Sequence, residues 1–204
     1  MRDERPGPKP TAPATAPQRR GEPAGPDSPR PRQTFYAHTL PGRPPEEWQP
    51  LEEHLHNVAE LAAQFAEPFG AREWARIAGL WHDLGKYSEA FQAYLRDAAG
   101  EDYHEAELHG RVDHTSAGAQ HAVAAIRVLG HLLAYPIAGH HAGLLDAIAD
   151  GACLERRLTK PVAPWGRAPA AAASSPDLAL PPFLEEALGR RATDPAAAAF
   201  SFSF

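Results

Sequence analysis

Trp74-Ala-Arg-Ile-Ala-Gly-Leu-Trp81-His82-Asp83-Leu84-Gly85-Lys86 is the stretch on which the fold turns. Trp74, Ile77, Ala78 and Trp81 recur at the three- and four-residue intervals of one helical face. The spacing predicts a helix from about Ala71 to Leu84, stopped by Gly85. Its last turn carries His82 and Asp83, about 100° apart around the axis. A carboxylate next to an imidazole can bridge two cations while its neighbour ligates one.

Working outward, ten of the eleven histidines fall between His54 and His141, so the imidazoles are concentrated in one part of the chain. A preceding helix starts near Trp48, with Leu51, Leu55, Val58, Ala62 and Phe65 on its apolar face, and ends at Pro68 and Gly70. His54 lies on that face with Val58, Leu61 and Phe65; His56 points elsewhere. A shorter helix after Gly85 carries Phe91, Tyr94 and Leu95. Residues 98–113 are polar and acidic and read as a loop. Thr115 or Ser116 then caps a long helix containing Val123, Ala124, Val128, Leu129 and Leu132, with His114 at its start. Pro136 suits the first turn of a further helix that holds His140 and His141 before Gly143. Leu144–Leu158 reads as one more helix, 159–182 as a Pro- and Ala-rich loop, and Phe183–Arg190 as a short helix. With no alternating apolar run and no internal repeat, the class is all-α, a helical bundle.

Residues 1–33 are rich in Pro, Ala, Arg and Gly and carry almost no large apolar side chain. Such a segment cannot bury enough surface to offset its ordering entropy, so it reads as a disordered leader before a folded domain over 34–204. The chain of 204 residues carries a net charge of −6, which argues against a free-standing nucleic-acid binder with a basic face. It does not exclude a nuclease, because metal ions bring positive charge to the site. The single cysteine, Cys153, rules out an internal disulfide and the usual thiolate route to zinc. A reducing cytoplasm fits. No apolar run approaches the roughly 18 residues of a membrane span, and the N-terminus lacks the apolar core of a secretory signal.

Taken together, His54, His82, Asp83, His114, His140 and His141 are candidate metal ligands, brought from separate helices as in sites built inside bundles. Neutral imidazole with carboxylate suits Mn, Fe, Co, Ni or Zn. Each residue also has an ordinary explanation: a histidine on an apolar face is commonly a hydrogen-bonded core residue, and paired histidines can end a helix. The combination, in this order on separate helices, favours ligation. Lysine occurs only at Lys9, Lys86 and Lys160, so one of three stands in the His-Asp block. Its compact ammonium could neutralise charge on a phosphoryl oxygen. Asp83 and Lys86 are therefore the candidate catalytic residues. His56, His104, His109, His121 and His131 lack a motif and read as surface or packing residues; His38 is undecided.

At these residues the chain resembles the HD-superfamily nuclease domain of type I CRISPR interference, usually fused to a helicase. The matching stretches are Phe35-Tyr-Ala-His38, Trp48-Gln-Pro-Leu-Glu-Glu-His54, Leu80-Trp-His-Asp-Leu-Gly-Lys86, Val112-Asp-His114-Thr-Ser-Ala-Gly118 and Ile137-Ala-Gly-His-His141-Ala-Gly-Leu144. They span about residues 35 to 148. His-Asp-x-Gly-Lys belongs to many HD hydrolases; the last two stretches are closer to the CRISPR branch. The resemblance implies a metal-dependent nuclease acting on single-stranded DNA, with one or two divalent ions (Fe, Mn, Ni, Co or Mg). Its implied partners are a helicase and a guide-RNA surveillance complex. Two alternatives stay open: a phosphohydrolase acting on nucleotides or cyclic nucleotides, and an inactive metal-binding module that docks a helicase. One departure stands out. The family supplies a late aspartate in a Ser-x-Leu-Val-Asp-Ala-Asp-like helix, whereas Asp194 here stands in a loop-like Thr-Asp-Pro. The terminal Phe200-Ser-Phe-Ser-Phe204 reads as the beginning of that helix, cut short.

Overall fold

In the computed structural model, residues 33–100, 112–174 and 178–193 are described. The described residues from Thr34 onward belong to one compact unit. The elements are β1 (Tyr36–His38), β2 (Gln49–Pro50), α1 (Leu51–Ala66), α2 (Arg72–Trp81), α3 (Glu89–Gly100), α4 (Thr115–Ile126), α5 (Gly130–Gly139), α6 (Leu154–Thr159) and α7 (Pro182–Thr193), joined in places by 3₁₀ turns. The class is all-α. The reading of 1–33 as disordered lies, but for its last residue, outside the described residues, as do 101–111 of the predicted 98–113 loop with His104 and His109, Asp194 and the terminal phenylalanines. Residues 98–100 of that loop belong instead to the end of α3.

Helices α1 and α2 are held close by small residues. A β-carbon added at Gly79 would come within 2.5 Å of Ala59 Cα. This contact sets the rotation of α1: its buried residues are Leu51, Leu55, Ala59 and Ala63. Phe65, expected on the core face, is 70% exposed and Leu61 52%. Backbone approach at alanine and glycine outweighed side-chain size, and the buried stripe is turned away from the predicted one.

Four further features of the helices differ from the sequence reading. α2 ends at Trp81, with His82 as its C-cap, and Asp83 (φ −116°, ψ 21°) begins a 3₁₀ turn over Leu84–Tyr87. The helix therefore stops before Asp83, and the turn swings this carboxylate back toward His82. The long helix predicted from Thr115 is two: Arg127, with φ 58°, breaks it, and α5 returns along α4. The return is so tight that a β-carbon at Gly130 would lie 2.2 Å from Ala122 O. Pro136 stands inside α5, not in its first turn. Residues 144–153 are irregular, and only Leu154–Thr159 of the predicted 144–158 helix forms.

The stretch Thr115–Gly139 has a mean hydropathy of 1.5 over its most apolar window, and by length and composition it could cross a membrane. This corrects the expectation that no run approaches that length. In this fold the stretch is a folded-back pair whose Ala119, Ala122, Leu133, Ala134 and Ile137 supply the main core. The two strands are a minor addition that the alternation test missed because they are only three and two residues long. Tyr36 pairs with Pro50 and His38 with Gln49, antiparallel. Gln92 fixes this ribbon to the rest: its side chain accepts from Tyr36 N and donates to the carbonyls of Tyr36 and Lys86.

Candidate metal centre

Asp83 is 1% exposed and lies where four elements meet. Its Oδ2 is 3.3 Å from His54 Nε2 (α1) and 3.1 Å from His82 Nε2 (end of α2). Its Oδ1 is 3.4 Å from His114 Nε2 (start of α4) and 3.5 Å from His140 Nε2 (end of α5). His54 and His82 face each other through their Nε2 atoms at 3.2 Å, and His141 and His114 do so at 3.1 Å. All six residues expected as ligands are thus gathered, in two groups that share Asp83: His54, His82, Asp83 and Asp83, His114, His140, His141. Among the described residues Asp83 is the one carboxylate in either group.

The donor chemistry fits a cation. His82 Nδ1 lies 2.7 Å from Gly79 O, His140 Nδ1 2.7 Å from Ile137 O, and His114 Nδ1 3.3 Å from Val112 O. A carbonyl can only accept, so each of these Nδ1 atoms carries the proton and each Nε2 presents a lone pair to the centre. Three lone pairs converging on a carboxylate repel unless a positive charge lies between them. Asp83 Oδ1 is buried with no hydrogen-bond donor among the described residues, a condition that costs free energy unless another partner is supplied. Separations of 3.1–3.5 Å are also those of neighbouring donors around one ion. Ligands about 2.1 Å from a metal lie about 3.0 to 3.4 Å apart in octahedral or tetrahedral shells.

Charge balance around the carboxylate comes from behind. Lys86 Nζ is 2.8 Å from Asp83 Oδ2 and donates to Ala37 O at 3.1 Å. Its side chain is 3% exposed, and its ammonium sits over the Phe91 ring. Lys86 therefore does not reach an incoming phosphate as the sequence suggested; its charge is spent on Asp83, and it is a positioning residue. Burial alone would raise the Asp83 pKa, but the contacts from His140, His54 and His82 outweigh it and hold the carboxyl well below its ordinary range. Desolvation, opposed by the charge of Asp83, brings His114 down to about 4, so its imidazole is neutral near pH 7.

Asp113 holds His114 in place, a role the sequence reading did not assign. Its carboxylate accepts from the backbone N–H of Thr115 and Ser116 and from both hydroxyls. Asp113, the residue before the N-cap His114, thus supplies the capping carboxylate of α4, not Thr115 or Ser116. Arg157 and Lys160, from α6 and its end, close on the same carboxylate. Burial would raise the Asp113 pKa; Lys160 and Ser116 instead drive it far below the usual range. The signal available was an acidic residue directly before a Thr-Ser helix start.

His38 stands at the edge of the site. Its ring meets that of His54 edge-on at 4.9 Å between centroids. The residue is solvent-exposed, and its pKa is pushed down to about 4, first by lost hydration and then by Lys86 and His54. His56 is exposed, and His131 bonds the carbonyl of Val128. His121 packs between Trp81 and Trp165, as a packing role predicts.

A helical domain that gathers imidazoles from four elements around one buried Asp, the second half of a His-Asp dipeptide, is the architecture of a metal-dependent phosphohydrolase. The HD domain family model matches residues 51–164, and this chain belongs to that family. No curated protein matches the chain.

Proposed function

We propose that this protein is a metal-dependent nuclease that hydrolyses phosphodiester bonds of single-stranded DNA in CRISPR antiviral interference. In this reading it works in the cytoplasm with a helicase and a guide-RNA surveillance complex. The observation that carries the proposal is the sharing of Asp83 between two imidazole groups. The second group comes from the Asp113-His-Thr-Ser-Ala-Gly118 and Gly139-His-His-Ala-Gly-Leu144 stretches, the two closest to the CRISPR nucleases. His54, His82 and Asp83 would hold one divalent ion, and Asp83, His114, His140 and His141 a second.

Such ions supply Lewis acidity toward phosphoryl oxygens and lower the pKa of water enough for it to act as a nucleophile near neutral pH. The chain's own residues prepare that chemistry. Asp83 offers one oxygen to each group. Lys86 sets a positive charge against the carboxylate and fixes its rotamer. The carbonyls of Gly79, Ile137 and Val112 lock three imidazoles in the tautomer that presents Nε2. Asp113 pins the start of α4 so that His114 cannot drift. On the open side His141 is exposed and Leu144 is 85% exposed, which favours a strand passing over the centre above a nucleotide enclosed in a pocket.

The test is to load purified protein with Mn²⁺, Ni²⁺ or Fe²⁺ and offer single-stranded DNA beside a panel of nucleotides and cyclic nucleotides. Chelator-sensitive cleavage of DNA is expected. Turnover of nucleotides with DNA left intact would move the protein to the alternative phosphohydrolase class.

A further inference from the structure

Resting on the reading of the cluster as a phosphoester-cleaving metal centre, we propose that His38 is a substrate-contacting residue. Its imidazole N–H would hydrogen-bond a non-bridging oxygen of the phosphate held there. Neither the ligand groups nor the HD motif includes this residue, which precedes the matched segment 51–164.

Four observations separate His38 from a structural histidine. It is exposed, as His140 and His141 are, whereas His54, His82 and His114 are partly buried. Its ring makes no hydrogen bond among the described residues, while His82, His114 and His140 each spend Nδ1 on a carbonyl. The ring meets that of the ligand His54 edge-on at 4.9 Å between centroids, and the charges of Lys86 and Asp83 act on it, so it borders the centre on the α1 side. Its ligand atoms do not join either group, so it stands beside the centre without belonging to it.

The backbone holds this position firmly. His38 pairs with Gln49 in the ribbon, and the preceding carbonyl, Ala37 O, receives the Lys86 ammonium that also touches Asp83. A continuous path of hydrogen bonds thus ties the His38 backbone to the carboxylate at the heart of the centre. The Phe35–His38 strand is indexed against the ligands, which a surface histidine would not need. A neutral imidazole always has one N–H to give. The phosphate oxygens are the acceptors that arrive at this mouth.

Mn²⁺-loaded wild type, His38→Phe and His38→Gln are compared by elemental analysis, thermal melting and calorimetric titration with inorganic phosphate. Phe keeps a ring on His54 but no donor; Gln keeps an N–H. We expect all three to hold equal metal and melt alike. His38→Phe should bind phosphate about five- to tenfold more weakly, the scale of one net hydrogen bond, and His38→Gln within about threefold of wild type. Unchanged phosphate affinity in His38→Phe overturns the contact, as does loss of metal in that variant, which would make His38 a support for the ligands. Wild type that takes up metal but no phosphate overturns it too. Hydrolysis of bis(p-nitrophenyl) phosphate is followed in parallel. Intact, His38-dependent phosphate binding without hydrolysis would sink the nuclease reading and leave the His38 contact standing.

Discussion

Lys86 Nζ lies 2.8 Å from Asp83 Oδ2, three residues apart in one 3₁₀ turn, with both side chains almost wholly shielded from water. The pair is the electrostatic hinge of the candidate centre. The ammonium adds a positive charge beside a carboxyl that the His140, His54 and His82 contacts already hold low against burial. It ties one oxygen to the Ala37 side, which fixes how the other meets His114 and His140.

Replacing Lys86 with Met keeps the volume and removes the charge. In metal-free protein we expect a loss of about 3 kcal/mol, the scale of a broken buried pair. Bound metal should recover much of it, because the ions supply the missing positive charge. Urea unfolding of wild type and Lys86→Met, each with and without Mn²⁺, measures this coupling. Equal losses in both conditions would assign Lys86 to anchoring Ala37 alone.

Asp83→Asn changes shape little and removes the shared negative charge. Bound metal should fall below half of wild type, and phosphoester hydrolysis by more than about a hundredfold, beyond the effect of supporting residues. Elemental analysis and hydrolysis of bis(p-nitrophenyl) phosphate read the two quantities. Full metal content in this variant would contradict the sharing.

Asp113→Ala removes the cap of α4 and the anchor for Arg157 and Lys160. Losing an N-cap costs about 1–2 kcal/mol, and a freed His114 should weaken metal binding about 10- to 100-fold. Thermal melting and competitive chelator titration check the two effects. Weaker metal binding with unchanged melting would place the role of Asp113 at the centre and not in the helix.

Gly118→Ala tests the packing that brings α4 to the site. A β-carbon there would lie 1.9 Å from the carbonyl oxygen of Trp81, the residue before His82. Backbone must move, at a cost of about 1–3 kcal/mol, and the start of α4 with His114 shifts away from Asp83. A lowered melting point together with weaker metal binding is expected; stability within error of wild type would show that α4 can slide freely.

His121 gives a pH signature away from the metal ligands. Burial between Trp81 and Trp165 lowers its pKa, while its bond with Ala173 O opposes the shift. The folded protein therefore favours the neutral ring. The unfolded chain takes up a proton as pH falls through about 6.5, so this stabilisation is complete above that pH and declines below it. The drop in urea midpoint between pH 8 and pH 5 should be smaller in His121→Gln than in wild type, with chelator present in both. Parallel curves would contradict the assignment.

Much of this was legible locally. The helical period around Trp74, Ile77 and Trp81 predicts α2 within a few residues, and Gly85 ends the segment. His82-Asp83 and His140-His141 stand out because adjacent ligand-type residues are hard to explain by packing. What failed also has local causes. Phe65 looked like core because it is large, yet Ala59 against Gly79 decided which face of α1 turns inward. The 144–158 segment has helical spacing, yet its first ten residues are irregular. Spacing points Lys86 toward substrate, whereas its direction depends on a turn geometry that spacing does not encode.

The chain's own order of residues determines which chemical groups are on offer: five imidazoles and one carboxylate, each at or near a helix start or end, in an all-α protein of the HD family. Only the tertiary structure decided that their Nε2 atoms converge within hydrogen-bonding distance, that Lys86 faces Asp83 and that Asp113 caps α4. The reason is geometric. Periodicity fixes the direction of a side chain about its own helix axis, whereas convergence across four elements depends on how closely the helices approach, and that distance is set by contacts such as Gly118 with Trp81 and Gly79 with Ala59, between residues 20 to 37 positions apart.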